Sequence, residues 1–198
     1  MMKIIFFLLL FATPLSAKTF NSSLGYSVEI PDNYTEYTKE YLVSNMQMVI
    51  TQMADMGIAT NEEELLRGFN NLEENRKYMD QFVNTNNFME SISYSIIGHI
   101  PILTKEEIEN NKDEIAKMYA EQWGFENFEN FEAFSLTING KPGFRVMHPF
   151  SLPNFYTGFT FIEINNEITM RMMYLSSTSD LEVLNTFIEE IESSIIFK

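Results

Sequence analysis

Between residues 131 and 198 the apolar and polar positions fall into two strand pairs and a closing helix. Runs 156–164 and 167–175 are rich in Phe, Ile, Thr, Met and Tyr. They meet at Asn165-Asn166, residues that tolerate the positive φ of a tight hairpin turn. A two-residue loop predicts Ile164 opposite Glu167, Ile162 opposite Thr169, Phe161 opposite Met170 and Phe159 opposite Met172, because antiparallel partners step away from the turn together. One face then carries Phe159, Phe161, Ile168, Met170 and Met172 as a core face. The other mixes Thr160, Thr169 and Arg171 with Ile162, Ile164 and Met173, a pattern that needs partial cover.

The preceding pair turns within 138–144. A two-residue Asn139-Gly140 loop sets Pro142 opposite Thr137 and Leu136 opposite Gly143. A five-residue loop over 139–143 pairs Ile138 with Phe144, Leu136 with Val146 and Phe134 with His148, and it is preferred because it keeps proline out of the ladder and one face apolar. Ser179 with Glu182 reads as a capping box before a helix whose stripe is Leu181, Leu184, Phe187, Ile188 and Ile191. Residues 194–197 read as a last strand.

Earlier in the chain, 19–20 and 26–30 flank 21–25 as a first hairpin that ends at Pro31-Asp32. A helix is predicted over 40–56 with Leu42, Met46, Val49, Met53 and Met56 in its stripe, stopped by Gly57. Thr60 with Glu63 opens a second helix, to about residue 83, burying Leu65, Leu66, Phe69, Leu72, Met79 and Phe82. Strand 91–97 follows. Thr104 with Glu107 then caps a helix striped by Ile108, Ile115, Met118, Tyr119 and Trp123.

The glycine, alternating strand and Pro-Asp turn of 25–34, the Asn139-Gly140-Lys141-Pro142-Gly143 turn, and a last helix running into Ser193-Ser194-Ile195-Ile196-Phe197 together resemble the PsbP-like group, which includes small exported bacterial proteins of the DcrB type. The resemblance covers roughly 20–34 and 134–197; the middle is longer and more helical. It implies an α+β fold, an antiparallel sheet with helices packed on it in an α/β/α sandwich. It also implies an accessory or binding role, and it brings no catalytic motif.

The first seventeen residues, with one lysine, an apolar run over 4–12 and small residues at the end, predict a secretory signal removed after Ala17. The run is too short to span a bilayer. Residues 18–198 then read as a single α+β domain, periplasmic or secreted. The absence of cysteine in an exported chain fits a bacterial envelope better than a disulfide-rich eukaryotic secretion. The formal net charge is -15, and loss of Lys3 with the signal makes it one unit more negative. That charge opposes binding to nucleic acid and to anionic lipid.

The chemistry-bearing inventory is thin. His99 and His148 are the two histidines, neither sits in a nucleophile turn, and with no cysteine a zinc site lacks ligands. His148 reads as a hydrogen-bonded strand histidine. Thirteen methionines offer thioethers suited to copper(I), but their spacings equally fit core stripes, and core packing is the reading adopted. No catalytic, cofactor-binding or metal-binding residue is therefore assigned.

Phenylalanine at every third position through Phe125, Phe128, Phe131 and Phe134 suits neither a helix nor a strand throughout. Either the conformation changes midway, or some of these rings are exposed and mark a contact surface. On the predicted registers Arg145 and Arg171 lie on neighbouring strands of one outer face beside Tyr156. They either pair with local carboxylates or receive an anionic or aromatic group of a partner, with Phe125, Phe128 and Phe131 as an apolar flank.

The function expected is that of an exported, non-catalytic accessory or binding protein whose partner is another exported or envelope protein. The alternatives are a carboxylate-dependent hydrolase and a periplasmic copper-handling protein.

Overall fold

The computed structural model describes residues 17–73, 76–123, 131–149, 155–178 and 180–198. The expected signal lies outside them apart from Ala17, which opens the first strand. The N-terminal half runs β1 (Ala17–Asn21), β2 (Tyr26–Pro31), β3 (Tyr34–Glu36), α1 (Lys39–Ser44), α2 (Met46–Asp55) and α3 (Glu62–Glu73). A single 3-10 turn leads to β4 (Met79–Asn84), β5 (Ser91–Gly98) and α4 (Lys105–Trp123). The remainder is β6 (Glu132–Ile138), β7 (Lys141–Pro149), β8 (Tyr156–Asn165), β9 (Ile168–Ser176), α5 (Leu181–Ser193) and β10 (Ile196–Phe197).

Seven strands form an antiparallel sheet in the order β3-β4-β5-β9-β8-β7-β6, and β1-β2-β10 form a second, smaller one. One face of the large sheet is covered by α5 and the small sheet. There Leu184, Ile188 and Ile191 of α5 and Tyr26, Val28 and Ile30 of β2 bury Ile162, Met170, Met172 and Tyr174. On the other face α4 lays Ile108, Ile115 and Tyr119 over Phe144, Val146, Phe159 and Phe161. A third cluster gathers Leu42, Met46, Val49 and Phe69 of α1–α3 on Val83 of β4. The α+β fold with helical layers on both faces is the architecture expected.

The β6–β7 turn is the two-residue loop, with Ile138 paired to Lys141 and Leu136 to Gly143, so the five-residue loop is corrected. Asn139 and Gly140 take φ of 48° and 80°, the left-handed pair that matches strand twist in such a turn. Residues flanking a two-residue loop form the hydrogen-bonded pair, so Thr137 and Pro142 form a non-bonded one. The missing proline N–H then points away from β6, just beyond Gly143, where pairing with β8 begins. Proline costs the ladder nothing at that position.

The β8–β9 register is one residue off the expected one: Phe161 pairs with Arg171 and Phe159 with Met173, with an irregularity between Glu163 and Asn165. Met170 and Met172 therefore share a face with Thr160 and Ile162, not with Phe159 and Phe161. Because both faces are buried, an alternating apolar pattern on either side satisfies some core, and periodicity loses its power to fix register. Gly158 pairs with Tyr174, whose ring lies where a Cβ would stand; its hydroxyl is 2.2 Å from that point.

Three helices differ from expectation. The helix expected over 40–56 is broken at Asn45 (φ -117°, ψ 15°), whose side-chain amide donates to the Tyr41 carbonyl and so competes with the helical ladder. The next one starts with Asn61 accepting from the Glu64 N–H and ends at Glu73, and Met79 and Phe82 belong to strand β4. The last is capped by Asp180, which accepts from the Glu182 and Val183 N–H groups, while Ser179 lies outside the described residues.

The Thr104–Glu107 box forms as expected in both directions, at 3.2 Å and 2.8 Å. The backbone N–H of Thr104, then its hydroxyl, hold the Glu107 carboxyl below its ordinary value. On α4 Met118 is exposed, whereas Ile108, Ile115 and Tyr119 are buried. The Trp123 side chain lies outside what is described.

Candidate functional site: a groove on the sheet and the arginine beyond it

The two arginines expected on one surface stand on opposite faces of the sheet. Arg145 aligns with Thr160 and, through it, Met172, beneath α5; Arg171 aligns with Phe161 and Phe144, on the α4 side. Arg145 is 3% exposed, and each of its three guanidinium nitrogens has a partner. Nε donates to Glu192 Oε1 at 3.2 Å, Nη2 donates to Glu192 Oε2, and Nη1 donates to Asn185 Oδ1 at 3.0 Å. The Thr160 hydroxyl also donates to Glu192. This is a buried clamp between α5 and the sheet.

Phe131 is buried too, its ring 6.3 Å from that of Tyr119 between centroids. Tyr156 packs at the edge of the α5-side core. Phe125 and Phe128 lie outside the described residues. The partner surface read from the sequence is therefore not assembled: Arg145 is paired and buried, and Arg171 faces the other way.

The remaining chemistry-bearing groups are held in structural roles. Asp80 accepts from the hydroxyls of Ser22 and Tyr26, tying the small sheet to β4. Burial and the Asp80 carboxylate push the Tyr26 phenol far above its ordinary value. Glu90 accepts from Ser177 and, at 2.6 Å, from Asn84. His148 is buried beside Val146 and Phe144 on the α4 side, and its Nδ1 donates to the Pro149 carbonyl at 2.9 Å. Burial lowers its pKa. Met170 and Met172 are fully buried, so their sulfurs are closed to solvent ions.

An open groove of about 390 Å³ lies between the α2–α3 pair and the β4–β5 end of the sheet. Its walls are Met53, Leu65, Phe69 and Phe88, and Val83 and Leu175 form its floor. Gln81, Ser91 and Thr60 add polar atoms, and Glu64 is its one carboxylate. Gly68 of α3, an exposed residue, borders it, and a Cβ built there meets nothing within 4 Å. Mostly apolar walls with a few placed polar groups are what a small-molecule pocket needs.

Past the groove the same face of β5 and β9 is closed, with Ser93 and Ser95 buried and Met173 packed on the α4-side core. Ser91 pairs with Leu175, Ser93 with Met173 and Ser95 with Arg171, all on the same face. Arg171 is half-buried, and its Nε donates to Ser95 Oγ at 3.2 Å. No carboxylate among the described residues pairs with it; the ion pairs of the buried arginine belong to Arg145.

Sequence reasoning singled out Arg171 but missed the groove. Its floor comes from Val83, placed in a helix by the sequence pattern, and its walls come from α2, α3 and the β4–β5 turn. One local signal was present: a glycine in mid-helix at Gly68, where packing or a ligand must compensate for the lost propensity.

No family model matches the chain, and no curated protein matches it. Among solved structures it is similar to cyanobacterial PsbP (CyanoP) from Synechocystis sp. PCC 6803, at 8% identity and a TM-score of 0.49, over 94% of this chain and 95% of that one. It is also similar to a protein of Bacteroides thetaiotaomicron VPI-5482, at 10% identity and a TM-score of 0.47, over 91% of this chain but 48% of that one, so it spans about half of that protein. A third similar structure is the Saccharomyces cerevisiae Ran-binding protein Mog1p, at 10% identity and a TM-score of 0.47, over 92% and 96% of the two chains. Among the described residues no helix is long and apolar enough to cross a membrane.

Proposed function

We propose that the chain is an exported binding protein that holds a small, largely apolar ligand in the groove between α2–α3 and the β4–β5 end of the sheet. The observation that carries this reading is the groove itself: about 390 Å³ and apolar in its walls, with Gly68 at its border. Rigid strands supply the floor, while Met53 and Met89 supply adaptable walls, since unbranched thioether side chains refit to different shapes. In this reading the leader ending at Ala17 is removed on export, residues 18–198 act as one domain, and the protein works as an accessory in the periplasm or medium.

Native mass spectrometry of the protein released gently from its own host tests the proposal. The expected spectrum begins at Lys18 and carries one small-molecule adduct per chain, absent from a Gly68→Phe variant. A spectrum without adduct, or an adduct unchanged in that variant, rejects the groove as the site.

A further inference from the structure

Among the described residues four strands end a sheet: β3 and β6 close the large one, β1 and β10 the small one. An open edge is a template for another chain, and natural sheets guard theirs by brevity, lysine, proline or bulges. β3 is three residues long and β10 two, and β1 carries Lys18. β6 has seven residues, pairs with β7 without a bulge, and reads Ala-Phe-Ser-Leu-Thr over 133–137, with neither charge nor proline. Phe134, Ser135 and Thr137 are exposed, so this edge is open.

The β6–β7 register settles which backbone groups the edge offers. Ile138 and Lys141 flank the two-residue turn, and hydrogen-bonded pairs recur at every second residue, so Ile138, Leu136, Phe134 and Glu132 turn their N–H and C=O groups to β7. Ala133, Ser135 and Thr137 turn theirs outward. That set is symmetric about Ser135. A second β6 laid antiparallel, Ser135 opposite Ser135, sets each Ala133 opposite a Thr137, and every such pair exchanges two N–H···O bonds.

The side chains match in the same register. Phe134, 38% exposed, meets the half-buried Leu136 of the other copy on the α5-side face, in the non-hydrogen-bonded pairing that brings side chains closest. On the α4-side face only Ala133, Ser135 and Thr137 meet, and they are small. Charge also selects this strip. Each chain carries a net -15, so two copies repel except where an uncharged surface meets its like. Glu132 is the one charged residue of β6, and it falls opposite Ile138 at the end of the pair. An unrelated extended segment finds the same outward N–H and C=O groups but not the twofold match of Phe134 with Leu136.

We propose that two copies of this chain join through β6, antiparallel about Ser135, into one continuous sheet.

Sedimentation equilibrium of the full mature chain over a concentration series tests this. The weight-average mass is expected to climb from one chain toward two, and to do so at lower concentration in high salt, where repulsion between the acidic copies is screened. Ser135→Lys and Ser135→Glu, changes at an exposed position, each set like charges directly opposite one another and are expected to weaken pairing roughly fivefold. Mixed in equal amounts, those two variants are expected to pair more tightly than either does alone, because the self-opposed position then holds opposite charges. Ser135→Pro removes an outward N–H, leaves the β7 ladder whole, and is expected to keep the chain monomeric.

A wild type that stays monomeric at every concentration overturns the proposal, and so does a monomeric wild type that captures a different protein along β6. A dimer indifferent to both Ser135→Lys and Ser135→Pro places the interface elsewhere and overturns it too. A Lys and Glu mixture no tighter than its separate components overturns the register about Ser135. If Ser135→Pro fails to fold, the Lys and Glu variants decide alone.

Discussion

Removing Glu192 tests whether the clamp beneath α5 is a buried ion pair in the energetic sense. The side chains of Arg145 and Glu192 are each 4% exposed, which places them outside the class of surface pairs worth about 0–1 kcal/mol. Glu192→Ala leaves the guanidinium in the core with Asn185 as its remaining hydrogen-bond acceptor and Glu189 3.7 Å away. An orphaned buried charge costs about 3–5 kcal/mol. Glu189, 68% exposed, offsets little of that, about the worth of a surface pair. The expected loss is therefore about 3 kcal/mol, the lower end of the buried-pair range. At about 2–4 °C per kcal/mol for a chain of this size, Tm falls by roughly 6–12 °C.

Urea denaturation followed by circular dichroism, extrapolated linearly to water, gives the free energy. Replacing both partners, Arg145→Met with Glu192→Leu, is expected to recover part of the loss, because the desolvation cost disappears with the charges while the buried Thr160 hydroxyl still loses its acceptor. A single-variant loss below about 1 kcal/mol, or a double variant as damaged as the single one, refutes the buried-pair account.

Two further outcomes follow from the fold. Gly158→Ala drives a methyl group into the Tyr174 ring and is expected to cost about 1–3 kcal/mol in the same assay; a neutral result contradicts the close strand-to-ring packing. His148 is neutral in the fold because burial lowers its pKa, so its contribution is complete above the unfolded value of about 6.5 and is lost as pH falls below it. The difference in stability between wild type and His148→Gln is therefore expected to shrink from pH 7 toward pH 5, and a difference constant with pH contradicts the buried neutral state.

What was legible in the sequence was local. The Thr104–Glu107 box is a four-residue signal and forms as read. The stripe Leu184, Ile188 and Ile191 is an α5 property that needs no partner to be seen. What failed was long-range. Met79 and Phe82 stand three apart, which suits a helix, and the neighbours that make them strand residues, β3 and β5, lie elsewhere in the chain. Arg145 looked like a surface residue because the acids that bury it arrive more than forty residues later on α5. The sheet's two buried faces hid the registers, since neither face is the polar one that would have fixed them. The groove is the extreme case, assembled from two helices, a turn and three strands, with Gly68 its single local trace.

The groove is tested most directly by titrating the protein with the neutral fluorescent probe N-phenylnaphthylamine, comparing wild type with Gly68→Ala and Gly68→Phe. A Cβ at position 68 meets nothing within 4 Å, and mid-helix alanine is favoured over glycine by about 0.5–1 kcal/mol, so both variants are expected to fold, with Gly68→Ala at least as stable as wild type. The account predicts saturable one-to-one fluorescence enhancement in wild type, little change in Gly68→Ala, and its loss in Gly68→Phe, where the ring fills the groove. Absence of saturable binding in wild type, or equal binding in Gly68→Phe, contradicts it.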